Sequence, residues 1–250
     1  MKRDHTAMET TEKPVEFESR WIRVGEANIH YLVGGEGTPL VLLHGSGGGA
    51  ENEWGPNLEI MARNFRIYAP DLVGFGKSDK PTTNYNQRFL KDFFTEFVEA
   101  MGLERINLMG HSLGGGVALA FAFDHPGKVE NLVLVGSSGL STKTGFLGKL
   151  LIPLFGLYAK LAGNHSFASI VERGDDSEAW EIFMDRLPEL ITPTLLLWGE
   201  RDGYMPVKLA HQAHERLPNS RLHVFEKCWH APQRARTEEF NSLVLNFLKE

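Results

Sequence analysis

The segment Gly110-His111-Ser112-Leu113-Gly114 sets a serine between two glycines, each two residues away. That spacing suits nucleophilic attack on a carbonyl. A serine hydroxyl becomes useful when it stands proud of a sharp strand-to-helix bend, where a base can reach it. Glycine at both flanking positions clears the backbone at such a bend. The apolar run before Ser112 and the helical pattern after it supply the strand and the helix, whose N-terminus would face the developing negative charge. A tetrahedral intermediate also needs two N–H donors aimed at its oxyanion. One is the N–H of Leu113. The second is assigned to Ser46, in His44-Gly45-Ser46-Gly47-Gly48-Gly49, with Gly47 close by. A phosphate cradle is the competing use of such a loop. The run lacks G-x-x-x-x-G-K-S/T, however, and the next helix is predicted over Leu58–Asn64 rather than directly after the glycines.

Ten histidines compete to be the base. His211 and His214 fall on a predicted surface helix and His223 alternates within a strand. His230, in Cys228-Trp229-His230-Ala231-Pro232, occupies the loop between the last predicted strand and the final helix. For the carboxylate that orients it, Trp198-Gly199-Glu200-Arg201-Asp202-Gly203 follows a strand, and Asp202 is chosen over its neighbour Glu200. His230 would take the proton of Ser112, titrating near pH ~6–7, while Asp202 fixes its tautomer and stabilises the imidazolium. His111 and Trp229 adjoin these residues and, with Gly47, are read as pocket residues.

The elements that must position these groups alternate along the chain. Phe17 to Val33 reads as two short strands joined by a turn at Gly25. Strands are predicted at Leu40–Leu43, Phe65–Ala69, Ile106–Met109, Leu132–Val135, Pro193–Trp198 and Arg221–Phe225. Helices are predicted at Gln87–Met101, Leu113–Asp124, Val207–Leu217 and Glu238–Leu248. Short apolar strands alternating with longer helices mean an α/β fold, a mainly parallel sheet covered on both faces. The stretch 139–191 breaks the alternation with a helical, Leu- and Phe-rich pattern. It reads as a short cap over one end of the sheet, inserted into a core formed by 1–138 and 192–250, with 1–13 disordered. Within the cap, Phe146 to Leu161 carries an apolar stripe suited either to ordinary packing onto the main domain or to a lid lining an acyl pocket.

With these residues in place, the chain resembles the α/β-hydrolase superfamily from about Glu16 to Lys249. The order Ser112, Asp202, His230 is the order that superfamily uses, and Ala69-Pro70-Asp71-Leu72-Val73-Gly74-Phe75-Gly76-Lys77-Ser78-Asp79 is similar to the loop after its fourth strand. Within it, Leu42 to Gly47, Arg221 to Cys228 and the segments Glu239-Phe240-Asn241 and Leu243-Val244-Leu245 are similar to the meta-cleavage-product hydrolases, which cut carbon–carbon bonds in ring-fission dienoates. Three features depart from that pattern. His111 stands where asparagine is usual, and Ala231 stands where tryptophan usually follows the histidine. The cap is also short, with only Arg173 or Arg186 to replace the arginine that holds the dienoate carboxylate. The expectation is therefore a serine carboxylesterase acting on short-chain or aryl esters. Carbon–carbon hydrolysis of 2-hydroxy-6-oxo-dienoates is the alternative, and a ligand sensor that keeps the triad a further one. Dehalogenase and epoxide hydrolase chemistry need a carboxylate where Ser112 stands.

Composition narrows the partners. A formal net charge of −6 offers no basic field for nucleic acid. One cysteine, Cys228, excludes an intrachain disulfide. No apolar run approaches the ~18 residues of a spanning helix, and the polar N-terminus lacks a secretory signal, so a cytoplasmic enzyme with a small-molecule ester substrate is expected. No His, Cys and carboxylate cluster has ligand spacing, so neither metal nor organic cofactor is expected.

Overall fold

The computed structural model describes residues 14–141, Leu154, Leu157 and residues 181–250. Eight strands form one sheet in the order β1-β2-β4-β3-β5-β6-β7-β8. A hairpin of β1 (Phe17–Val24) and β2 (Ala27–Gly34) opens it, turning at Gly25 with φ +53°. β2 runs antiparallel to β4 (Arg66–Pro70). All later pairings are parallel: β3 (Pro39–Leu43) with β4 and with β5 (Ile106–His111), then β6 (Val129–Val135), β7 (Thr194–Gly199) and β8 (Ser220–Phe225).

The central strands are apolar on both faces because both are covered. In β3, Leu40 and Leu42 join one core with Trp54 and Met61 of α1 (Ala50–Ala62) and Phe240 and Val244 of α6 (Thr237–Leu248). Their neighbours Val41 and Leu43 join the other core. It holds Phe94 and Phe97 of α2 (Gln87–Ala100), Val117 and Phe121 of α3 (Leu113–Asp124) and Ala210 and Ala213 of α4 (Lys208–Arg216). Each buried leucine of this kind contributes roughly 1.5–3 kcal/mol. Since β4 and β5 flank β3 on opposite sides, the winding reverses there. A crevice therefore opens at the carboxyl ends of β3 and β5, where ligands bind in open α/β sheets.

Two boundaries differ from the sequence expectation. The helix predicted from Leu58 begins at Ala50, directly after the glycine run. Gly55 and Pro56 argue against a helix there by propensity. Tertiary contacts override them: Asp71 Oδ1 accepts the Ala50 N–H at 2.7 Å and caps the helix from a distant loop. The absence of a helix start therefore no longer argues against a phosphate cradle. What excludes one is that this N-terminus already faces a carboxylate, whose other oxygen accepts Lys77 N–H at 2.8 Å and lies 2.8 Å from His30 Nδ1. A short helix, α5 (Pro232–Ala235), also follows β8 unpredicted.

Most of the apolar stripe expected over Phe146 to Leu161 lies outside the described residues. Leu154 and Leu157 are helical, and each is 58% exposed. Phe183 N–H donates to the Gly139 carbonyl at 2.8 Å, so the described residues on either side of that stretch meet at one place. Among the described residues, no helix is long and apolar enough to cross a membrane.

Candidate active site

Ser112 sits between β5 and α3 with φ +51° and ψ −114°, a conformation L-residues avoid. Such strain costs on the order of 1–3 kcal/mol and persists only where the surroundings enforce it. Here the Ser112 N–H donates to Val135 O at 2.9 Å. Its carbonyl accepts from Gly116 N–H at 3.2 Å, Ser138 N–H at 3.0 Å and Ser138 Oγ at 3.1 Å. The flanking glycines are needed for clearance. A Cβ on Gly110 would lie 2.4 Å from the Gly114 carbonyl oxygen, and one on Gly114 would lie 2.4 Å from that of Leu43.

The loop after β3 runs alongside this bend, since Leu43 pairs with Gly110. A Cβ on Gly45 would stand 3.3 Å from Ser112 Cβ, so Ser46 follows within the same crevice, half-buried, while Gly47 is exposed. Leu113 is buried at the first position of α3.

Asp202 and His230 arrive from the carboxyl ends of β7 and β8. Asp202 is 6% exposed, and its Oδ1 accepts the N–H groups of Tyr204 at 2.9 Å and Met205 at 2.8 Å. Its Oδ2 lies 2.7 Å from His230 Nδ1. One oxygen is thus fixed by main chain and the other aimed at the ring. The rival Glu200 faces elsewhere, accepting Lys227 N–H at 2.7 Å. His214 contacts Ser220 and His223 contacts Glu239, both at the surface.

To reach Asp202, the loop after β8 folds back over β7. There the Gly199 Cα faces the Trp229 carbonyl so closely that a Cβ would sit 1.9 Å from its oxygen. Both partners are main chain and neither can swing away. Gly199→Ala should therefore lower stability by about 3 kcal/mol or more and reduce activity with it, read as a fall in thermal midpoint. A midpoint equal to that of the unmodified protein would show that the crossing is looser. Beyond it, a Cβ on Gly136 would stand 3.1 Å from His230 Nδ1 and 3.2 Å from Asp202 Oδ2, next to the Val135 carbonyl that holds Ser112. The three residues singled out by sequence therefore converge at the end of β6.

Burial pushes the His230 pKa down, the bond to Asp202 pulls it up, and the nearby charge of His111 pushes it down again, leaving it below the ordinary imidazole value. Tyr204 packs against the ring at 5.1 Å between centroids, and Trp229 is 55% exposed beside it. His111, expected in the pocket, is instead only 5% exposed. It lies beneath the loop, because side chains alternate along β5 and its ring falls on the α1 face. Its Nδ1 is 3.0 Å from Glu53 Oε1 and its Nε2 is 3.0 Å from the His230 carbonyl oxygen. Glu53 was not legible as a site residue, because the first turn of α1 was not read as helix.

A family model described as alpha/beta hydrolase fold matches residues 38–173. The chain belongs to this family. Among hydrolases of this family, it is 32% identical to 2-hydroxymuconate semialdehyde hydrolase from Pseudomonas putida, over 86% of this chain and 89% of the relative. Its structure is similar to that of a meta-cleavage product hydrolase from Pseudomonas fluorescens, at 25% identity and TM-score 0.77, covering 92% of this chain and 97% of the other. It is also similar to a bacterial membrane phospholipase A, at 26% identity and TM-score 0.79, over 93% and 86% of the two chains. The named curated relatives favour carbon–carbon hydrolysis over the ester hydrolysis expected from sequence.

Proposed function

We propose that this chain is a serine hydrolase that cleaves the carbon–carbon bond beside the 6-oxo carbonyl of a small 2-hydroxy-6-oxo-dienoate. Ser112 is the nucleophile, His230 the base, Asp202 its orienting carboxylate, and the Ser46 and Leu113 N–H groups the oxyanion donors. The observation that carries the reading is the 32% identity to a hydrolase of such a semialdehyde over nearly the whole of both chains. The pairing of His230 with Asp202 at 2.7 Å supports the roles. In this chemistry the base first helps move the enol proton onto carbon. The 6-oxo carbonyl carbon then takes the Ser112 oxygen as the hydroxyl proton passes to His230, and the carbon–carbon bond breaks with its electron pair delocalised into the keto acid, which takes up a proton as it leaves. Water, deprotonated by His230, finally releases the acyl group as a carboxylic acid.

Hydrolysis of small esters by the same groups is the second reading, and Arg186 favours it. Carbon–carbon hydrolysis needs a cation for the dienoate carboxylate. Arg186 is already engaged, its guanidinium bonded to Glu181 and Glu189 and lying 4.6 Å over the Phe123 ring. Arg173, the other candidate, lies outside the described residues. Comparing kcat/KM for 2-hydroxymuconate semialdehyde and p-nitrophenyl acetate decides between the readings. The proposal expects the dienoate to be preferred by orders of magnitude, and a reversed preference transfers it to esters.

The base must be neutral to act, so activity should rise with pH as His230 loses its proton. Because the His230 pKa is lowered, that limb should lie on the acidic side of the ordinary imidazole value and activity should be level by neutral pH. A kcat/KM profile still climbing above pH ~7.5 would contradict it.

A further inference from the structure

Behind the base lies a buried charge pair that the triad does not use. Glu53 on α1 is 8% exposed and His111 on β5 is 5% exposed. Their contact at 3.0 Å is too oblique for a directed hydrogen bond, so its attraction is chiefly coulombic. On its other side, His111 Nε2 lies 3.0 Å from the His230 carbonyl oxygen. A carbonyl only accepts, so Nε2 carries a proton; a bare Nδ1 lone pair 3.0 Å from an ionised carboxylate would be repelled by it, whereas a protonated Nδ1 is attracted, so Nδ1 carries one too. The ring is therefore an imidazolium. Burial opposes both charges, yet the attraction to Glu53 raises the His111 pKa, and His111 with the Gln233 amide holds Glu53 at about 2. Glu53 also accepts from Gln233 Nε2 on α5, and Asn57, one turn along α1, donates to Gln233 O at 3.0 Å and Asn241 Oδ1 at 2.8 Å. The loop bearing His230 is thereby tied at both ends to α1 and to the strand that carries the nucleophile.

We propose that Glu53 and His111 are a positioning pair for His230, in which the imidazolium grips the main-chain carbonyl of the base and sets its ring against Ser112 and Asp202. The inference rests on the triad assigned above. The His111 and His230 rings stand 4.7 Å apart, close enough for the fixed cation to disfavour a second one on His230. The other groups facing His230 are Asp202 from the β7 loop, Tyr204 beside it and, further off, Glu53. Those facing His111 are Glu53, Asp202, His230 and the neutral His44.

Two double variants separate the roles while leaving no lone buried carboxylate. Glu53→Gln with His111→Gln keeps an N–H near the carbonyl but removes both charges. Glu53→Gln with His111→Leu removes the donor as well. On p-nitrophenyl acetate, the leucine variant should lose about tenfold or more in plateau kcat with KM within about twofold. The glutamine variant should recover most of that plateau. Its acidic limb of kcat/KM should move to higher pH, because the nearer of the two lost charges is the cation. If the leucine variant does not fold, the shifted limb of the glutamine variant still tests the pair. A leucine variant that keeps the wild-type plateau, or an unmoved limb in the glutamine variant, overturns the proposal. Ser112→Ala run alongside tells the failures apart. If it stays within tenfold of wild type, the triad falls and takes the pair with it; if it loses activity by orders of magnitude while both double variants behave as wild type, only the pair falls.

Discussion

Ser112→Ala should lower kcat by about a million-fold, the scale on which removing a nucleophile from a serine triad acts, while leaving the thermal midpoint unchanged. The reasoning starts from the backbone. The φ of +51° at Ser112 is enforced by four bonds to Val135, Gly116 and Ser138, every one of them made by a main-chain atom of Ser112. Alanine keeps all of these and meets the same strain, so the bend survives without its hydroxyl. What remains is binding and oxyanion stabilisation, which leaves slow hydrolysis above the uncatalysed rate. Steady-state kinetics with the preferred substrate and a thermal melt check both halves. Activity within tenfold of wild type would mean that another group attacks the carbonyl.

The second large effect is expected from Asp202→Asn, about ten-thousand-fold in kcat. The two N–H groups of Tyr204 and Met205 that now bond Oδ1 will select the amide oxygen of the asparagine. Its NH2 group is then turned toward His230 Nδ1, where Oδ2 now lies at 2.7 Å. Nδ1 must accept rather than donate, so the neutral ring carries its proton on Nε2 and cannot take the one from Ser112. The fold is left intact because the shape is nearly unchanged. If Glu200→Gln is damaging instead, the orienting acid is Glu200, despite its bond to Lys227 N–H.

The sheet was legible because its central strands are buried on both faces. Leu40–Leu43 and Leu195–Leu197 show it as unbroken apolar runs. The bend at Ser112 was legible for a different reason: Gly110 and Gly114 occupy places where any Cβ would strike main chain, and such a constraint shows in residue type. The start of α1 was hidden. Ala50 to Pro56 has poor helix propensity, and the cap comes from Asp71, a contact that no local pattern records. The role of His111 was hidden likewise, since its partners Glu53 and His230 meet it only in three dimensions. The choice between ester and dienoate substrates was the least legible. It turned on departures at His111 and Ala231 and on the expected length of a cap, whereas the resemblance to the relative from Pseudomonas putida extends over 86% of this chain.

The hydrogen bond from Phe183 N–H to the Gly139 carbonyl brings together the chain on either side of the residues that are not described. Closure entropy grows only slowly with loop length, about 0.6 kcal/mol for each doubling. With its two ends already held together, the stretch between Gly139 and Phe183 could be lengthened or shortened at little cost in closure entropy, and the register of the strands would not depend on its length. Changes of length there do not reopen the question of how the sheet folds.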